Sequence, residues 1–415
     1  MRRMPFVLSL LAGSALVLAQ APSGLSVDRL VRLDKAMERY VADDAVAGMV
    51  SLVLRDGHVV LERAHGWRDK EQRQPMTPDT IFRIASQTKA LTSVAALILM
   101  EEGRLGLTDP VGRHIPAFAK LTVMRSGEAG LTTAPARRAI TVRDLLTHTS
   151  GFSYGTGRDV AALYEAQGLG PAAGEGWYFA DKDEPICASM ERLATLPLVA
   201  QPGEAWVYGY STDALGCLVE RVSGVSLDEY LRTTIIEPLG MQDTHFYLPE
   251  SKRDRLAVVY ASGPGGRVVR APEGARGQGH YVTGPRRSYS GGAGLLSTAR
   301  DYARFLEMIR NGGALDGVRI LSPRTVALLT TNQAGTLYPV AGLGWSLAFE
   351  TTERVGANGL DGVGAYGWGG AYGSVYKVDP QSRMVMVFLM QLIPNATDIR
   401  TRWPTLVYQA LTDTR

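Results

Sequence analysis

Ser86 and Lys89 lie three residues apart in Phe82-Arg83-Ile84-Ala85-Ser86-Gln87-Thr88-Lys89. A serine hydroxyl attacks a carbonyl only when a neighbouring base takes its proton. A lysine amine can be that base where burial and neighbours favour its neutral form. Whether the two side chains meet depends on the backbone between them. The following run, Ala90 to Met100, contains neither Pro nor Gly and stops before Gly103, a residue type that suits the position after a helix. This pattern predicts a buried helix beginning at Ser86. On a helix, positions i and i+3 share a face, so hydroxyl and amine would meet in the first turn. Free N–H groups at that helix start would also face a developing oxyanion.

The same spacing recurs at Ser374-Val375-Tyr376-Lys377, beside the apolar run Met384 to Met390. That context reads as strand, where i and i+3 point to opposite faces, so the chemistry is confined to the first copy. Only seven of the 44 basic residues are lysines, which makes a chance pairing at Ser86 less expected. Gly209-Tyr210-Ser211-Thr212-Asp213 resembles a Gly-x-Ser-x-Gly elbow, but its fifth position is Asp and no βαβ alternation surrounds it. Gly362 to Gly367 spells Gly-x-Gly-x-x-Gly yet opens a strand, so dinucleotide binding fails its context. His148, in the stretch Thr141 to Gly151, is expected to hold its own turn by hydrogen bonds.

The chain of 415 residues, 45% hydrophobic and 20% charged, has the composition of a globular enzyme. A net charge of +3 with no basic tract gives no reason to expect a nucleic-acid partner. No Cys-x-x-Cys or His-Glu-x-x-His occurs, and neither a metal nor a cofactor is expected. Arg2 and Arg3, the apolar run Phe6 to Leu18 and Ala19-Gln20-Ala21 form a signal-peptide pattern over residues 1–21. Cleavage after Ala21 would yield an exported protein, periplasmic or secreted, with no stable membrane span, since no later run reaches ~18 apolar residues. Export permits Cys187 and Cys217 to pair. Cys217 nevertheless sits in the apolar stretch Ala214 to Val219, where a buried free thiol is ordinary, and free thiols are the expectation.

Helical periodicity covers Leu25 to Ala42, Thr212 to Val222 and Leu227 to Leu239; Ser297 to Asp301 caps a further helix running to Arg310, and a last helix starts from about Asp398. Strands are expected at Ala47–Leu54 and Val59–Ala64, around an Arg55-Asp56-Gly57 turn, and at Gly344–Phe349, Ser374–Asp379 and Met384–Gln391. Residues 151–184 and 261–291 read as long irregular segments. Strands at both ends with helices between imply an α+β fold: one antiparallel sheet built from both termini, flanked by helices, with an inserted mostly helical region. The expected parts are residues 22–85 and 291–415 for the α/β region and 86–290 for the helical one, which carries Ser86, Lys89 and Tyr208.

Five motifs occur in one order: Ser86-Gln87-Thr88-Lys89, Leu145 to Gly151, Pro202-Gly203 with Tyr208, Gly291 to Ala299, and Trp368-Gly369-Gly370. Together they resemble the class C β-lactamase superfamily of penicillin-recognising serine hydrolases, and within it the family VIII carboxylesterases. The resemblance spans nearly the whole mature chain and implies the β-lactamase/transpeptidase-like fold. It implies that Tyr208 stands where the superfamily's Tyr-x-Asn tyrosine does, with Tyr210 in the Asn position. Tyr208 would share proton transfer with Lys89. Trp368-Gly369-Gly370 replaces Lys-Thr-Gly, putting a flat apolar wall where β-lactamases hold a carboxylate. The N–H groups of Ser86 and Ala371 would form the oxyanion hole, and Tyr210, Trp368, Gly369 and Gly370 would contact substrate. The expected activity is hydrolysis of short-chain carboxylic esters through an acyl-enzyme on Ser86, with a small-molecule ester or amide as partner. The alternatives are a β-lactamase, a D-amino-acid peptidase or an acyltransferase of the same superfamily, or a non-catalytic relative that binds peptidoglycan or peptides.

Overall fold

Helix α1, Val27–Ala42, begins at Ser26, whose hydroxyl accepts the Arg29 N–H, and buries Leu30, Leu33 and Met37 at helical spacing. Strands β1, Gly48–Arg55, and β2, His58–Asp69, follow as a hairpin. Its turn residues Asp56 and Gly57 both take positive φ, 52° and 77°, the backbone that matches a two-residue turn to the twist of the sheet. Residues 24–127, 130–169 and 179–413 are described in the computed structural model. The expected signal peptide lies outside them. Among the described residues no helix is long and apolar enough to cross a membrane.

Six further strands complete the main sheet: β3, Gln74–Pro75; β4, Leu343–Trp345; β5, Glu350–Thr352; β6, Tyr366–Gly369; β7, Val375–Asp379; and β8, Met384–Met390. Their order is β4-β5-β6-β7-β8-β1-β2-β3, antiparallel throughout. The fold is thus α+β, with a sheet drawn from both ends of the chain. The single strand expected over 344–349 is instead the hairpin of β4 and β5. Ser346 causes the difference, since its hydroxyl accepts the N–H groups of Ala348 and Phe349 and bends the chain there.

Alternate residues of β1 face opposite sides of the sheet. Val50 and Leu52, with Val387 and Leu389 of β8, join the larger core under α2 (Thr88–Glu101), α3 (Ser211–Ser223) and α4 (Ala299–Arg310). Met49 and Val53, with Met386 and Phe388, pack on the other side against α1 and α5 (Ile399–Tyr408). The α5 residue Trp403 donates its indole N–H to the Ser51 hydroxyl at 2.9 Å. The first of these faces carries the candidate site.

One expectation is corrected here. Cys187, in the helix Ile186–Leu193, and Cys217, in α3, form a disulfide with their Cα atoms 4.9 Å apart. The apolar surroundings of Cys217 suit a disulfide as well as a thiol, and the partner comes from a neighbouring helix that local sequence does not reveal.

Candidate active site

The backbone reverses sharply just before Ser86. Phe82 and Arg83 pair with Ser297 and Leu296, and the buried Arg83 guanidinium donates to the carbonyls of Ala257 at 2.6 Å and Gln278 at 2.8 Å. Ala85 then takes φ 44°, a region non-glycine residues adopt rarely and at some cost in strain. Ala85–Gln87 form a 3-10 turn, and α2 starts only at Thr88. The predicted helix start at Ser86 is therefore corrected by two residues, because the reversal consumes the first turn. The Tyr302 hydroxyl donates to the Gln87 carbonyl at 2.9 Å, and the Thr88 hydroxyl accepts the Leu295 N–H at 3.0 Å. These bonds pin the turn on which Ser86 stands, only 7% exposed.

Lys89 is 2% exposed, and its Nζ has three oxygen neighbours: Ser86 Oγ at 3.3 Å, the Tyr154 hydroxyl at 2.9 Å and the Gly292 carbonyl at 2.7 Å. Tyr208 meets the same amine with its ring face, 4.8 Å from the centroid. The Tyr208 oxygen accepts the Trp368 indole N–H at 3.0 Å. Trp368 is thus more than the apolar wall expected of it, since it also fixes the phenol beside the lysine. Trp206, Tyr208, Tyr338, Trp345 and Trp368 pack together as an aromatic wall along one side of the site.

The Trp-Gly-Gly segment ends β6. A Cβ on Gly370 would sit 2.7 Å from the Ile84 carbonyl oxygen, and one on Gly369 would sit 2.2 Å from Arg400 Nη2. Backbone demands glycine at both positions: Gly370 lets the strand approach the turn before Ser86, and a Cβ on Gly369 would also meet the Ser374 carbonyl oxygen at 2.7 Å, with the flexible Arg400 guanidinium lying against it. The Gly370 N–H is taken by the Ser374 carbonyl at 2.9 Å. Ser86 and Ala371, expected to donate to an oxyanion, lie on the two segments that meet at Gly370. A hydroxyl, an amine within reach of it, a phenol and backbone donors are the set that acyl transfer requires.

The sequence pattern of the family described as Beta-lactamase matches residues 33–410. The chain belongs to the beta-lactamase family. It is 33% identical over 377 residues to the esterase EstB of Burkholderia gladioli, covering 86% of this chain and 90% of that protein. It is 35% identical over 379 residues to the protein Rv1367c of Mycobacterium tuberculosis, covering 87% and 90%. The solved structure of EstCE1, described as a hydrolase with promiscuous acyltransferase activity, superposes with a TM-score of 0.76 at 27% identity, covering 93% of this chain and 99% of that one. The chain is accordingly a serine hydrolase with the beta-lactamase/transpeptidase-like fold, and esterases are among its relatives.

Within this beta-lactamase family site, two residues stand elsewhere than the sequence suggested. Tyr210 is 1% exposed and donates its hydroxyl to the Leu169 carbonyl at 2.6 Å, with its ring 4.8 Å from that of Tyr154. It supports Tyr154 from behind and does not line the site as a substrate contact. His148 was expected to brace its own turn, but that work falls to Asp144, which accepts from Thr141, Thr149 and Arg138. Burial pushes the Asp144 carboxyl up, yet its hydrogen bonds to Arg138 and Thr141 prevail and hold it below the usual range. His148 itself sits at φ 56°, its ring 4.9 Å from that of Tyr208 and its Nδ1 without a hydrogen-bond partner among the described residues. Burial, and then the charge of Lys89, hold its imidazole well below the ordinary histidine value. The decoy serines are engaged otherwise: Ser211 bonds Ser150 at 2.8 Å, and Ser374 donates to the Met390 carbonyl at 3.1 Å. Tyr154 escaped the sequence reading. It lies in the aperiodic segment 151–184, and its one signal is a place just after the Thr147-to-Gly151 turn.

Proposed function

We propose that the chain hydrolyses neutral, short-chain carboxylic esters through an acyl-enzyme on Ser86. The observation that carries this reading is the Lys89 amine, buried and 3.3 Å from the Ser86 hydroxyl. Lys89, with Tyr208 and Tyr154 around it, takes the serine proton and returns it to the leaving alcohol, and water then releases the acid. The N–H groups of Ser86 and Ala371 receive the oxyanion. The aromatic wall favours an uncharged substrate, since a carboxylate against indole loses its water without an ionic partner. The esterase relatives support the same substrate class. Export belongs to this reading, supported by the signal-peptide pattern and by the Cys187–Cys217 disulfide, which suits an oxidising compartment.

A second reading, side activity on β-lactams, is favoured by Arg400. Its guanidinium lies against Gly369 and could meet a substrate carboxylate at the edge of β6. Nitrophenyl butyrate and a chromogenic cephalosporin, compared on one preparation, test both readings. The ester should lead in kcat/KM by at least about a hundredfold, roughly 2.7 kcal/mol. Equal or faster cephalosporin turnover would overturn the esterase assignment, and its selective loss in Arg400→Met would identify the carboxylate partner.

A further inference from the structure

Asp213 lies in the first turn of α3 and is 2% exposed. Its Oδ1 accepts the Ser290 hydroxyl at 2.5 Å and the Gly292 N–H at 3.1 Å. The carbonyl of the same Gly292 accepts from Lys89 Nζ at 2.7 Å. A Cβ on Gly292 would fall 2.4 Å from Asp213 Oδ2, so the carboxylate presses directly on this glycine. Burial pushes the Asp213 carboxyl up; the charge of Lys89 opposes this most, followed by the bonds from Ser290 and Gly292.

The proton arithmetic of the amine gives this chain of contacts its importance. A neutral amine has two N–H bonds and one lone pair. The Gly292 carbonyl can only accept, so it takes one N–H. The Tyr154 oxygen takes the second, which leaves the lone pair aimed at the Ser86 hydroxyl. An ammonium would instead donate its third N–H to Ser86 and could not receive the serine proton. Facing Lys89 are Ser86 from its own turn, Tyr154, the Tyr208 ring, the His148 imidazole and Gly292. Facing Asp213 are Tyr210, Ser290, Gly292 and, through the peptide, Lys89. Asp213 is the carboxylate of this set.

We propose that Asp213 is the positioning residue of the lysine: through the Gly292 peptide it aims the amine at Ser86, and through its charge it sets how tightly the amine keeps its proton. The proposal rests on the roles given above to Ser86 and Lys89. Asp213→Asn tests the charge, because the amide oxygen can still accept from Ser290 and Gly292. Two pH profiles are read: kcat/KM for nitrophenyl butyrate, and the rate at which a fluorophosphonate probe labels Ser86. Without the negative charge the amine loses its proton more readily, so the acid limb of both profiles should move to lower pH by about one unit, tenfold in the protonation constant. Ser290→Ala withdraws a hydrogen bond that holds the Asp213 carboxyl in its charged form, so its limb should also move to lower pH, by less than in Asp213→Asn. Asp213→Ala removes the aim as well and should lower the labelling rate by about a hundredfold at every pH.

A purely structural residue would lower the rates and leave the limbs in place. Limbs of Asp213→Asn and Ser290→Ala that coincide with wild type would therefore overturn the proposal. If Asp213→Asn does not fold, the signed shift of Ser290→Ala decides alone. Wild-type protein whose Ser86 is not labelled at all would remove the proposed function itself; labelled Ser86 with unmoved limbs would remove only the role of Asp213.

Discussion

Two copies of Ser-x-x-Lys stand in this molecule, and they behave as opposites. At Ser86 and Lys89 a 3-10 turn running into α2 brings hydroxyl and amine within 3.3 Å, both nearly buried and on one face. At Ser374 and Lys377 the chain is extended along β7. There the serine hydroxyl exchanges hydrogen bonds with the Met390 carbonyl and N–H across the sheet, while Lys377 pairs with Asp361. The same spacing thus brings hydroxyl and amine together in one place and makes two separate structural ties in the other. The backbone, not the pair of residue types, decides which.

Substitutions at the two copies should separate activity from stability. Ser86→Ala should reduce ester turnover by on the order of 10³–10⁶ with little change in melting temperature. Ser374→Ala should do the reverse, keeping turnover while losing about 1–3 kcal/mol of stability, because the buried Met390 N–H loses the serine oxygen, while its carbonyl keeps the Gln391 amide. A folded Ser86→Ala protein with wild-type turnover would erase the contrast.

The lysines come next in size. Lys89→Met should lower kcat/KM by about 10²–10⁴, the usual worth of a general base. Combining it with Tyr154→Phe should add far less than the product of the single effects, because the two act as a unit. Lys377→Met strands a buried carboxylate, since Asp361 is 3% exposed there. Chemical denaturation should register about 3–5 kcal/mol of lost stability, with turnover per folded molecule retained. A smaller effect is expected of Trp368→Phe, which keeps the aromatic wall but withdraws the indole N–H from Tyr208. Kinetics should show a loss of about threefold to tenfold, the worth of one hydrogen bond.

The mildest contrast is in pH. His148 stands beside the first copy and is held well below its ordinary value by burial and then by Lys89. His245 is pushed down to about 4 by burial and then by Lys252. Both imidazoles bind protons less readily folded than unfolded, where the value is about 6.5. Their contribution to stability is therefore present above about pH 6.5 and lost as the pH falls below it, for His245 through about 4. Melting temperature should decline over that window, and His148→Asn, a residue tolerant of positive φ, should flatten the decline.

Local periodicity made the hairpin of β1 and β2, the helices and the decoy status of Ser374 legible, because each depends on residues close in sequence. The Ser86–Lys89 pair was legible for the same reason. Ala85 was not: nothing in an alanine announces φ 44°. The bond from Trp368 to Tyr208 joins residues 160 apart, and Tyr154 reaches Lys89 from an aperiodic segment. Asp213 appeared only as the mismatch that disqualified a hydrolase elbow. An acidic residue at the start of the apolar stretch Ala214 to Val219 was the available signal. Tyr210 was misplaced because position in a motif does not fix which way a ring turns, and here its hydroxyl finds the Leu169 carbonyl behind the site.

The disulfide has a consequence for how active protein must be made. Cys187 and Cys217 are separated by 30 residues, and Tyr208 lies on the loop they close. Such a closure restrains the unfolded chain by about 3–4 kcal/mol, and it ties down at both ends the segment that carries the phenol to Lys89. A chain produced in a reducing cytosol lacks this restraint, so its ester hydrolysis per molecule should rise once the two thiols are oxidised. Specific activity then becomes a record of the compartment through which each molecule has passed.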